Sequence, residues 1–170
     1  MDKAVGMLKA FGWNVEPRQP AALHLPPEVN ARFHHLPAEY VQFLEQVRCC
    51  VNAAGTAWFL TEEDFGGTSD SAFLWNEFEA MGLESAENDS DLASSVTRFW
   101  EGHLPIAVSV KSGYAFLALS LAAEDYGKVV IGREPEFEDS EVVCGSFQQL
   151  LSQLLKTAET APGTLLADFV

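Results

Sequence analysis

The chain has 170 residues, 48% hydrophobic and 21% charged, which suits one domain around one core and excludes disorder along the whole chain. Ten Lys and Arg against 25 Asp and Glu leave a formal charge of −15. That balance argues against a nucleic-acid binder, which needs a basic footprint on phosphate, and against docking on anionic lipid.

Residues 2–12 predict a short amphipathic helix, with Val5, Leu8 and Phe11 on one side and Gly6 and Gly12 weakening it. Met1 to Met7 lack the apolar core of a signal peptide, and the longest apolar stretch, Tyr114 to Leu121, is far short of the roughly 20 residues of a membrane span. The three cysteines include the adjacent pair Cys49 and Cys50, which is no disulfide framework. A cytoplasmic location with free thiols is the expectation. Five prolines in residues 15–37 predict extended or turning chain rather than a regular element. Residues 1–24 are expected to form an N-terminal extension packed on a domain of residues 25–157, with 158–170 as a C-terminal tail.

Leu36-Pro37-Ala38-Glu39 predicts a helix start with Pro37 at the first helical position, followed by the stripe Tyr40, Phe43, Leu44 and Val47. That helix should end before the turn at Asn52–Gly55, and Thr56 to Leu60 reads as a strand. Thr61-Glu62-Glu63-Asp64 is a helix start or a tight acidic turn. Asp70 or Ser71 would cap a helix to about Met81, and a second helix is expected over 91–100. Leu104, Ile106, Val108 and Val110 alternate at period two, and further strands are expected over 114–121, 129–131 and 141–144. Ser146 and Gln149 form an S-x-x-Q capping box before a helix with Phe147, Leu150, Leu151, Leu154 and Leu155 on one stripe. After a break at Ala161-Pro162-Gly163, the apolar Leu165, Leu166, Phe169 and Val170 are expected to fold back. The fold class is α+β: a single domain with an antiparallel sheet of about four to six strands and helices before, within and after it.

Catalytic and metal-binding patterns are weak. The adjacent pairs His34-His35 and Cys49-Cys50 diverge on any regular element, so they do not suit one ion. Cys144 before Ser146 could feel a helix N-terminus as a nucleophile, but a strand-end cysteine before a capping serine is the favoured reading. No G-x-S-x-G elbow and no G-x-x-x-x-G-K-[ST] loop occurs. Phe73, Trp75, Phe78, Phe99 and Trp100 could stack a ligand, although aromatic residues more often build cores. No catalytic residue, metal or cofactor is expected.

The acids are the informative feature. Cys49 to Thr97 contains no Lys or Arg and ten acids, and a second run from Glu134 to Glu141 contains five. Such a field either keeps the chain soluble or steers a basic protein partner to it. The candidate contacts are Glu62, Glu63, Asp64, Asp70, Glu77 and Glu79, with Glu134, Glu136, Glu138 and Asp139. Trp75 and Phe65 are candidate aromatic anchors beside them.

The motif order resembles the SUKH superfamily, the Smi/Knr-type domains of bacterial toxin-immunity proteins and fungal cell-wall regulators. The resemblance rests on Leu36-Pro37-Ala38-Glu39-Tyr40-Val41-Gln42-Phe43-Leu44, on Leu104-Pro105-Ile106-Ala107 running to Gly113, on Leu117 to Leu121 with Gly127-Lys128-Val129, and on Ser146-Phe147-Gln148-Gln149-Leu150-Leu151. The chain departs from the family at Asn52-Ala53-Ala54-Gly55, where Asn-Gly is common. It also has Ser109, Ser112 and Ser120 where members often carry acids. The resemblance implies a non-enzymatic binding domain that neutralises a basic toxin, such as a nuclease, by direct contact. The alternative within the family is an intracellular regulatory or scaffolding module binding a cellular partner.

Overall fold

The computed structural model describes residues 2–71, 73–159 and 164–170. Its elements run α1 (Asp2–Ala10), β1 (Asn14–Pro17), α2 (Pro27–Arg32), α3 (Ala38–Gln46), β2 (Val47–Val51), β3 (Ala57–Phe59), α4 (Glu62–Phe65), α5 (Glu77–Ser85) and α6 (Ser90–Glu101). They continue with β4 (His103–Ser109), β5 (Ala115–Ser120), β6 (Val129–Arg133), β7 (Glu141–Cys144), α7 (Phe147–Glu159) and a 3-10 turn at Ala167–Phe169. The seven strands form one antiparallel sheet in chain order, each paired with its neighbours in sequence. This is the expected α+β class, with more strands than the four to six read from the sequence.

Helices cover both faces of the sheet centre, so every residue of β5 is buried and β4 is buried apart from His103. The period-two pattern of β4 therefore separates two cores rather than core from solvent. On one face Phe59 packs against Phe147 of α7 at 5.9 Å, Phe43 of α3 at 5.3 Å and Trp13 at 5.5 Å between ring centres. On the other, Phe116 of β5 packs against Trp100 of α6 at 4.8 Å and Phe78 of α5 at 5.1 Å. The α7 stripe of Phe147, Leu150, Leu151, Leu154 and Leu155 is buried throughout. Ser146 Oγ accepts from the Gln149 N–H at 3.2 Å, while Gln149 Oε1 accepts from Gly145 N–H at 3.0 Å, one residue earlier than in a standard capping box.

Several expectations are corrected. The proline-rich stretch contains β1, which pairs with β2 at the sheet edge, and α2, which starts at Pro27. Pro17 ends an edge strand, a position that tolerates a missing N–H. Pro37 caps α3 rather than occupying its first turn, and α3 stops at Gln46 instead of running on toward Asn52. Val47 turns extended (φ −119°, ψ 123°) and begins β2 with no loop between. Helix α5 begins at Glu77, so neither Asp70 nor Ser71 caps it. Phe11 lies outside α1 and is exposed.

The break at 161–163 lies outside the described residues, but the tail beyond it folds back with Leu166 and Phe169 buried. Ser109 Oγ donates to the Asp168 carbonyl at 2.5 Å, Arg133 Nε to the Asp168 carboxylate at 3.1 Å, and Lys111 Nζ to the Val170 carbonyl at 2.7 Å. At the other face Gly132 is required by packing, since a Cβ there would sit 2.4 Å from the Phe116 ring and 2.4 Å from the Phe137 carbonyl oxygen. That close approach seats the loop after β6 against the sheet.

Candidate functional site

The turn after β3 builds the first acidic cluster. Asp64 Oδ2 accepts from the Thr61 N–H at 2.7 Å and meets the Thr61 hydroxyl at 2.9 Å, so Asp64 closes a capping box and is 8% exposed. Glu62 accepts from Arg18 Nε at 2.5 Å and from the His24 N–H at 2.6 Å. Burial alone would raise the Glu62 pKa; these two bonds outweigh it and hold the carboxyl below its ordinary value. Arg18 also donates to the carbonyls of Ala21 and Ala22, tying the proline-rich strap to α4. Glu63 meets Arg48 at 3.3 Å, and Arg48 also pairs with Glu16. Glu79 takes Arg32 through both oxygens, at 2.7 and 2.8 Å.

Three arginines from the first 48 residues thus land on the base-free stretch, and its field is not uniformly negative. Asp70 is exposed and Glu77 half-buried, and neither side chain has a hydrogen bond or ion pair among the described residues.

The second acidic run behaves differently. Phe137 packs against Phe78 of α5 at 4.9 Å and Phe116 at 6.4 Å, which brings the loop 134–140 beside α5. Glu138 is engaged inward, accepting from Trp100 Nε1 at 2.9 Å. Glu134, Glu136 and Asp139 are exposed, with no side-chain hydrogen bond or ion pair among the described residues. Neither proposed aromatic anchor is free: Phe65 is core, and Trp75 packs against Phe65 and Phe33, each at 6.3 Å.

Where α5 and α6 leave the sheet uncovered, a cavity of about 430 Å3 opens over β1 to β3. Its floor includes Cys49, Val51 and Trp58, and its walls include Glu16, Arg48, Glu63, Asp64 and Asp70. Val51 and Trp58 are register partners, which is why they share this face. Sequence reasoning missed the cavity because β2 was hidden in a helical pattern; the alternation of Trp58 with the core residue Phe59 was the available signal.

The thiols are not activated. Burial pushes up the pKa of Cys49, Cys50 and Cys144, the wrong direction for a nucleophile at neutral pH. His103 stacks on Phe99 at 4.1 Å, and burial lowers its pKa. Among the described residues no group of three or more His, Cys, Asp or Glu is placed to hold a metal ion, and no helix is long and apolar enough to cross a membrane.

No family model, curated protein or solved structure matches this chain. What the arrangement can do follows from its charges. The loop between β6 and β7 presents carboxylates that no cation among the described residues pairs with, whereas the strap side holds Glu62 and Glu63 in ion pairs. A cation approaching the first surface would compete with no ion pair among the described residues.

Proposed function

We propose that the chain is a non-enzymatic, cytoplasmic protein-binding domain of the SUKH type, an immunity-type protein that neutralises a basic toxin, such as a nuclease, by direct binding. The observation that carries this reading is the set Glu134, Glu136 and Asp139, exposed on the loop between β6 and β7 with no side-chain hydrogen bond or ion pair among the described residues, on a chain of charge −15. Asp70 and Glu77 extend the unpaired set. Glu62, Glu63, Asp64, Glu79 and Glu138 contribute to the field mainly through its net charge, because each is held by a neighbour. Unpaired charges of one sign speed association and select a complementary partner, while a few buried contacts set affinity. The test is to recover the partner from the native host, identify it by mass spectrometry and measure its association rate against ionic strength. A basic partner whose on-rate falls about tenfold or more between low and physiological salt supports the reading. An acidic partner, or an on-rate indifferent to salt, sinks it.

A further inference from the structure

We propose that the cavity over β1 to β3 anchors one arginine side chain of the protein partner, with the Trp58 indole as platform and the surrounding carboxylates as acceptors; this rests on the basic-partner reading above. The cavity lining carries Glu16, Glu63, Asp64 and Asp70 against the single cation Arg48. Arg48 engages Oε2 of both Glu16 and Glu63, so Oε1 of each is left without a hydrogen bond. Asp64 spends Oδ2 on Thr61, and its Oδ1 has no partner among the described residues although the residue is more than nine-tenths buried. Oδ1 is also not sealed from solvent, for the one sealed and unpartnered side-chain polar atom among the described residues is Trp58 Nε1. Asp70 offers two further oxygens.

This set selects its ligand. Acceptors outnumber donors, so an anion is disfavoured and a multi-donor cation is favoured. A guanidinium brings five N–H donors in a flat fork, whereas an ammonium brings three around a point. The potential on the cavity floor has the right sign: burial raises the Cys49 pKa first, and Glu16 and Asp64 raise it further against the opposing Arg48.

Trp58 adds an independent argument. Its indole N–H is buried without a partner, which costs stability that a phenylalanine would not. The indole face is the better platform for a cation than a phenyl ring. Trp58 is half-buried and lines the same cavity as the carboxylates, with its N–H sealed from solvent, so the ring rather than the N–H is what it offers a ligand.

The probe is N-acetyl-arginine amide, with the lysine and glutamate analogues as controls, titrated into the full chain. The readouts are the Trp58 indole N–H resonance, assigned by its loss in Trp58→Phe, and the rate at which iodoacetamide alkylates Cys49. The arginine probe should shift the resonance and slow the alkylation, the lysine analogue should bind at least about threefold more weakly, and the glutamate analogue should do neither. Asp70→Asn and Trp58→Phe should each weaken protection of Cys49 by about threefold or more, with the melting temperature unchanged or, for Trp58→Phe, raised. Equal binding of the glutamate probe, or protection unaffected in both variants, overturns the pocket. A partner whose association is steep in salt but whose affinity ignores Trp58→Phe overturns the pocket and leaves the charge reading standing. Arginine binding without any basic partner overturns the protein occupant and the charge reading together.

Discussion

Residues 62–64 and residues 134–139 both crowd carboxylates into a short stretch, yet they end in different electrostatic states. At 62–64, Arg18 and Arg48 arrive from the strap and from β2, and Asp64 turns inward onto Thr61. At 134–139, Glu138 turns inward onto Trp100 while Glu134, Glu136 and Asp139 stay exposed, with no side-chain partner among the described residues. The first cluster spends most of its charge on holding the chain together, and the second spends only Glu138 in that way among the described residues. A run of like charge in a sequence is therefore a field only where the fold brings no counter-charge to it. The Arg18–Glu62 pair spans 44 residues, so local charge counting is blind to it.

Stability separates the two clusters most strongly, and a core deletion sets the scale. Leu151 of α7 is fully buried, and Leu151→Ala should cost about 2–5 kcal/mol by chemical denaturation. The combined reversal Glu62→Lys, Glu63→Lys and Asp64→Lys should come close to that, at about 3 kcal/mol or more. It puts an ammonium at a site that is 8% exposed and leaves the buried Thr61 N–H without its acceptor. A reversal that leaves the denaturation midpoint unmoved would show that this cluster is as free as the other.

The matching reversal Glu134→Lys, Glu136→Lys and Asp139→Lys sharpens the contrast from the other side. None of the three has a partner to lose among the described residues, so each should change stability by no more than about 0.5 kcal/mol. The partner's on-rate should fall about tenfold, and its dissociation rate should move little. If the on-rate holds while the chain stays folded, the run beside α5 is not the steering surface.

The last third of the fold was the most legible in the sequence, because period-two strands and a capped, striped helix each carry a local signal. Strand β2 was not legible. Val47 extends the i, i+3, i+4, i+7 stripe of Tyr40, Phe43 and Leu44, and no Gly or Pro separates Gln46 from Val47, so the helical pattern runs straight into the strand. The β-branched and cysteine content of Val47-Arg48-Cys49-Cys50-Val51 was the counter-signal. Missing β2 hid the cavity too, since Cys49 and Val51 become its floor only as residues of a strand. The candidate acids were legible as a list. Which were free was not, because that depends on the long-range placement of Arg18, Arg32 and Arg48.

The smallest expected effect isolates a single pair and depends on pH. The Glu62 carboxyl is held below its ordinary pKa of 4.5, with burial opposing and the Arg18 and His24 bonds prevailing. A carboxyl with a lower pKa folded than unfolded binds fewer protons in the native state. Its contribution is fully present above the unfolded pKa and is lost as pH falls through the folded one. The side chains are partly exposed, at 9% for Arg18 and 22% for Glu62, so solvent screening limits that contribution to about 1 kcal/mol or less. Urea unfolding of the wild-type chain and of Glu62→Gln should therefore differ by a constant amount from pH 7 to about pH 5.5 and converge as pH falls below 4.5. Glu136→Gln, with no partner to lose among the described residues, should change stability by less than about 0.5 kcal/mol at neutral pH. A Glu62→Gln gap that persists unchanged at pH 3 would mean that the neutral acid grips the strap as well as the carboxylate does. The contrast between a charge spent on the fold and a charge with no counter-charge among the described residues would then fail at the residue where it is most directly measured.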